Sequence, residues 1–151
     1  MNAAHWHLAL NHIPVVGGFF AMCLLAAGLW RKSDEWIRAS LCALVAVAVL
    51  AIPVYLTGGP ADVVIMEMPE YVDVLVKAHA QAATAAFSAL VFVGLAALGG
   101  LIAYRKTVPF PRWVAAALFG LALITSGWLA WTANLGGRIH HPEVRPASAA
   151  E

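Results

Sequence analysis

Residues 13–30, IPVVGGFFAMCLLAAGLW, run for eighteen positions without a charge, and HWHLALNH, residues 5–12, places three histidines directly ahead of them. An uninterrupted apolar run of that length is long enough to cross the hydrocarbon core of a bilayer as a helix. The whole chain agrees with that reading. Of its 151 residues 62% are hydrophobic and 11% charged, and the mean hydropathy is +0.81, so charge is less than half its share in soluble domains. Net charge is only +1 and the basic residues form no long cluster, which sets nucleic acid aside as a partner. Cys23 and Cys42 fall inside apolar runs and read as small buried hydrophobes, silent about redox compartment. No Lys or Arg precedes Arg31, so the first run lacks the basic start of a secretory signal and reads as a permanent span.

Working outward, four stretches suffice to span: roughly 10–30, 37–57, 80–104 and 113–134. Backbone polar groups in lipid must be satisfied within the segment, so each is a helix. RKSDEW, residues 31–36, predicts a tight turn with Ser33 as N-cap and Asp34 and Glu35 at the positive end of the second helix. Pro109 and Pro111 punctuate the turn before Trp113. Short turns imply antiparallel neighbours. The expected fold is an all-α membrane protein, one domain over 1–151, with four transmembrane helices in an antiparallel bundle and an outside loop at 58–78. Within that loop, Gly58, Gly59 and Pro60 are expected to end the second helix and to begin a short surface helix, and Pro69 to start the third.

Six of the nine basic residues, Arg31, Lys32, Arg38, Arg105, Lys106 and Arg112, collect on one side of this topology. Short cytoplasmic loops accumulate Lys and Arg, so that side is the cytoplasm and both termini lie outside, in the periplasm of a bacterial inner membrane. The outer side carries Asp62, Glu67, Glu70, Asp73, Glu143 and Glu151, and it carries all six histidines. Tryptophans near the span ends read first as an interfacial belt.

Counting from the cytoplasmic charges gives heights. His5 lies 26 residues before Arg31, His79 lies 26 before Arg105 and His140 lies 28 after Arg112. At 1.5 Å per residue these three share a level about 40 Å up, with His12 about 10 Å deeper. His5 and His12, seven apart, share a helix face and His7 points elsewhere. Pro14 removes an N–H and bends the first helix one turn inside His12. On the third helix the face through His79 continues as Ala82, Ala83, Ala86 and Leu90, small enough to leave room between helices or to let helices approach.

Three functional readings stay open. In the first, a b-type haem is held axially by His12 and His79, with His5 and His140 as alternates or a second pair, and with Arg138 and Lys77 receiving the propionates. Such a site exchanges electrons with a quinol pool or a periplasmic carrier. No CxxCH occurs to attach haem covalently. In the second, zinc or copper is bound by His5, His79 and His140 or His141, with Glu67 or Glu143, since imidazole suits several metals. Met66 and Met68 are soft donors that more often serve as interfacial anchors. In the third, the chain is a structural subunit of a larger respiratory complex. No nucleophile, paired acid and base or phosphate-cradling loop is visible, so catalysis by the chain alone is not expected.

NHIPVVGG (11–18), IPVYLTGGPA (52–61), KAHAQAA (77–83) and TANLGGRIHHPE (132–143) together resemble a family of small bacterial four-helix inner-membrane proteins that carries no established activity. The resemblance runs from His5 to Glu143 and implies the four-span fold and a shared role for His12, His79 and His140. Relatives carry His-Glu where this chain has His79-Ala80, so the resemblance assigns no carboxylate role here.

Overall fold

The computed structural model describes residues 2–69, 71–105 and 109–145. Glu70, Lys106 and Glu151, counted above among the charges of the two sides, lie outside them. The described residues form five α-helices and a short 3-10 turn: α1 (Ala3–Leu10), α2 (His12–Trp30), α3 (Asp34–Ile65), α4 (Asp73–Ala103), α5 (Arg112–His140) and Pro142–Val144. Helices α1 and α2 make one long segment, Ala3–Trp30, and with α3, α4 and α5 they give four helices long and apolar enough to cross a membrane.

The division between α1 and α2 falls at Asn11, one turn before Pro14. Pro14 has no N–H to offer the carbonyl of Leu10, so the ladder is interrupted just ahead of His12 rather than one turn inside it. Ser33 caps α3 by accepting from the Trp36 N–H at 3.4 Å, with Asp34 and Glu35 in the first turn. The far end of α3 departs from expectation. It passes straight through Gly58, Gly59 and Pro60 and stops only at Ile65, so no separate surface helix begins at Pro60. Packing explains the continuation: α1 lies against α3, and Ala61 is buried beyond the proline. Such contacts override a local terminator. The third span begins at Asp73 rather than Pro69, and α5 extends to His140, so His79 and His140 both stand on helices.

The first span packs on α3 and α5, and α4 packs on the same two, so the first span and α4 face each other diagonally. The core begins at the end that carries Asp34. Leu25, Ile37, Leu41, Leu44, Val93, Ala97 and Phe110 are all nearly inaccessible there. Asp34 ties the connection before α5 by accepting from the Phe110 N–H at 2.8 Å and pairing with Arg112 at 3.0 Å. Arg38 donates to the carbonyls of Tyr104 and Arg105. A second cluster, Val47, Ala48, Ala51, Ala86, Leu90 and Leu129, continues the core toward the histidines. Phe19, Phe20, Leu56, Phe92 and Ile124 lie on the outside, as suits side chains that meet acyl chains.

Helices α3 and α4 touch through small residues. A methyl group built on Gly94 would lie 2.5 Å from the Cβ of Ala48, a contact no rotamer can relieve. Gly94→Ala therefore forces the helices apart and is expected to cost about 1–3 kcal/mol. Denaturant unfolding in detergent micelles measures that loss, and an unchanged midpoint would show that the approach is looser than described.

Candidate histidine site

Beyond the second core cluster the helices diverge around a cavity of about 860 Å³, within the range of small-molecule sites of about 300–1,000 Å³. All four spans line it. Its floor is apolar and includes Ala51, Ala83, Ala86, Phe87, Leu90 and Leu129. Tyr55 stacks on Phe87 with ring centroids 4.4 Å apart and stands 3.3 Å from the Thr84 hydroxyl, fixing the wall between α3 and α4.

Two imidazoles meet in this cavity. His7 comes from α1 and His79 from the diagonally opposed α4, both half-buried, with ring centroids 6.4 Å apart and planes at 83°. His7 Nδ1 lies 3.1 Å from the Val54 carbonyl and 3.1 Å from Thr57 Oγ1. The Thr57 hydroxyl proton already goes to Val54 O at 2.8 Å, so toward His7 its oxygen accepts. His79 Nδ1 lies 3.0 Å from the Thr132 carbonyl. A carbonyl can only accept, so Nδ1 is the protonated nitrogen in both rings and each Nε2 is left with its lone pair. Neighbouring helices thus fix tautomer and orientation together, as backbone acceptors do for metal-binding histidines.

The surroundings are cut to the His79 ring. A Cβ on Gly136 would lie 3.0 Å from His79 Cε1 and 3.2 Å from Nδ1, so α5 has no side chain where the ring sits. Gly58 is the facing residue on α3, where a Cβ would stand 3.6 Å from His7 Cε1. Thr57→Val removes one of the two acceptors for His7 Nδ1–H, and a ligand bound through His7 is expected to weaken about tenfold, the lower end for such supporting groups. Equilibrium titration of the ligand into both proteins checks this, and equal affinities would show that Val54 O alone holds the ring.

The remaining candidates are distributed differently from the expected pattern. The pair chosen by depth, His12 and His79, is not the pair whose rings meet. His12 borders the cavity, but it is exposed and its Nδ1 turns back to Leu8 O at 3.2 Å. His5 is exposed and engaged with Asn2 Oδ1 at 2.7 Å. His140 stands exposed at the rim, within electrostatic reach of both His7 and His79. His141, also at the rim, is held 2.9 Å from Glu143, whose own backbone N–H and then His141 keep its carboxyl below the usual range. The level set His5, His79 and His140 is not gathered: among the described residues no three His, Cys, Asp or Glu side chains converge on a metal position. Lys77 pairs with Asp73 at 2.7 Å, Arg138 lies over the Trp131 ring at 5.8 Å, and neither is in the cavity wall. Glu67, Met66 and Met68 are exposed on the segment after α3 and do not line the cavity.

Residues the sequence reading passed over are thus His7, Thr57 and the Thr132 carbonyl. A usable signal existed for His7. The buried positions of the first span, Pro14, Gly18, Ala21, Leu25 and Gly28, recur every three or four residues, and the same face extended back two turns from Pro14 arrives at His7. His5 and His12 align instead with exposed Val16 and Phe19.

Comparisons with protein families, with curated proteins and with solved structures give no match to this chain.

Proposed function

We propose that the protein is a b-type cytochrome of the bacterial inner membrane, carrying haem between His7 and His79 near the periplasmic face and passing single electrons to or from a quinol pool or a periplasmic carrier. The topology that goes with this reading is an antiparallel up-down-up-down bundle with both termini outside, supported by the collection of Lys and Arg at the opposite end.

One observation carries the reading. Two imidazoles from diagonal helices have their Nδ1–H groups committed to backbone carbonyls, which frees both Nε2 atoms as donors. Two imidazoles ligating one ion from opposite sides, with metal–nitrogen bonds of about 2 Å, have ring centroids about 6 Å apart. The separation of 6.4 Å fits. The cavity volume and the small residues beside both rings suit a flat apolar group, and the residues present therefore fit haem. When bound, haem would be held by His7 and His79 through their Nε2 atoms and would supply reversible one-electron exchange. The chain's own part is to orient the rings, surround them with low-dielectric walls and keep bulk water from the apolar floor. A mononuclear zinc or copper site draws less support, since among the described residues no third ligand converges on the pair.

Optical spectroscopy of the purified protein, oxidised and reduced, tests the proposal. A Soret band with sharp α and β bands on reduction is the expected result. A colourless protein that takes up no added haemin would overturn it. Metal content would then separate a metal carrier from a bare structural subunit.

A further inference from the structure

The first span parts from α5 toward the histidine end of the bundle. Helix α2 packs on α5, whereas α1, beyond the break at Asn11, packs on α3 and makes no comparable contact with α5. Close approach seals the near end of the resulting gap, where a Cβ on Gly18 would lie 3.3 Å from Leu129 Cδ1. Past that level Leu8, His12 and Val16 border the gap on one side and Ala133, Gly137 and His140 on the other, and all six line the cavity. A Cβ on Gly137 would meet nothing within 4 Å. Leu8 and Val16 are exposed, as are Phe19 and Phe20 on the following turn, so in a membrane the gap opens sideways toward acyl chains.

We propose that this gap binds a lipid-soluble hydroquinone, with the ring between His12 and His140 and the apolar tail left in the bilayer. The inference rests on the reading above, since it names the electron partner of the His7–His79 site by chemical class and place, while binding itself needs no cofactor.

Three features select the ligand. The first is charge: among the described residues no Lys or Arg lines the cavity and its one carboxylate is Asp62, so nothing there compensates the head group of an anionic lipid, and the occupant is neutral. The second is the direction of hydrogen bonding. His12 Nδ1 lies 3.2 Å from Leu8 O, and a carbonyl only accepts, so Nδ1 carries the proton and Nε2 is left with a lone pair that calls for a hydroxyl donor. The third is spacing. Counted from the Gly18 and Leu129 contact, His12 stands six residues along its helix and His140 eleven along its own, a difference in height of about 7.5 Å. A ring with a hydroxyl at each end, and a hydrogen bond beyond each hydroxyl, spans that distance. A neutral imidazole always keeps one acceptor nitrogen, so His140 can receive the second hydroxyl. The oxidised quinone presents two acceptors of the same shape and forfeits the bond to His12.

Calorimetric titration of decylubiquinol, kept reduced under argon, into the full-length protein in detergent micelles tests the proposal, with haem-loaded and haem-free samples run side by side. One hydroquinone should bind per chain. His12→Ala should weaken it about tenfold, as the loss of one hydrogen bond does, and decylubiquinone should bind the unaltered protein about tenfold more weakly than decylubiquinol. Gly137→Leu places its side chain in open space, so the packing is kept, and it should abolish saturable binding. Gly120→Leu, equally open at its Cβ on the same helix but outside the cavity wall, should bind as the unaltered protein does. Undiminished binding in His12→Ala or Gly137→Leu, equal affinity for quinone and hydroquinone, or no saturable binding at all overturns the proposal and leaves the cofactor reading, which the haem bands of the same samples report. Saturable binding with the expected variant pattern in a protein that takes up no haem overturns the cofactor reading and upholds the gap as a hydroquinone site.

Discussion

His79→Ala is expected to give a folded protein with the bundle intact and with haem affinity lowered by on the order of 100-fold or more, beyond what loss of a mere supporting group produces. The substitution removes an Nε2 donor and leaves His7 without its counterpart across the bundle. Its structural cost is small by comparison: one hydrogen bond, to Thr132 O, is lost, worth about 1 kcal/mol, in a region where the ring is only half-buried. His7→Ala should match it, since the two rings stand on equal terms. His12→Ala and His5→Ala should leave haem content unchanged, because both rings are exposed and turned to their own helix or its cap. The haem-to-protein ratio after purification, followed by haemin titration of the apoprotein, separates these four variants. Loss of haem in His12→Ala with retention in His79→Ala would sink the pairing and restore the choice made from depth alone.

That choice shows where sequence reasoning reached and where it stopped. The four long apolar helices, the Ser33 cap and a break near Pro14 were all legible, because each depends on local chemistry: run length, a side-chain oxygen three residues from an N–H, a missing donor. Height along the bundle follows from the rise per residue. Rotation about the helix axis does not. Treating His5 and His12 as the inward face ignored what lies below them, where Val16 and Phe19 are bulky and exposed while Gly18 and Ala21 are small and buried. In a membrane the usual hydrophobic contrast between faces vanishes, and small size becomes the mark of the inward face. Read by size, the stripe leads to His7. The end of α3 failed for a different reason. Gly58-Gly59-Pro60 carries the chemistry of a terminator, and packing against α1, with His7 on Val54 O and Thr57 Oγ1 and with Ala61 buried beyond the proline, shows why the helix continues. A contact between residues 47 or more apart in the chain is not written in either segment alone.

Gly136 offers the second large effect, because there stability and binding should move in opposite directions. It lies within α5, where glycine costs about 1 kcal/mol relative to alanine, and the nearest obstacle to a methyl group is the His79 ring rather than backbone. Gly136→Ala should therefore leave the apoprotein as stable as before or slightly more so. The same methyl would press on His79 Cε1 at 3.0 Å and on Nδ1 at 3.2 Å, where the bond to Thr132 O is made. The ring must turn or retreat by a few tenths of an ångström, and a ligand requiring a fixed Nε2 direction should bind about tenfold less well. Gly136→Leu extends the collision to the whole ring and should abolish haem retention as completely as His79→Ala, though every histidine is still present. Unfolding midpoints and haem titrations measured on the same samples decide the matter. If Gly136→Leu retained haem at full occupancy, the space beside His79 would be idle, and the geometry on which the cofactor assignment stands would be wrong.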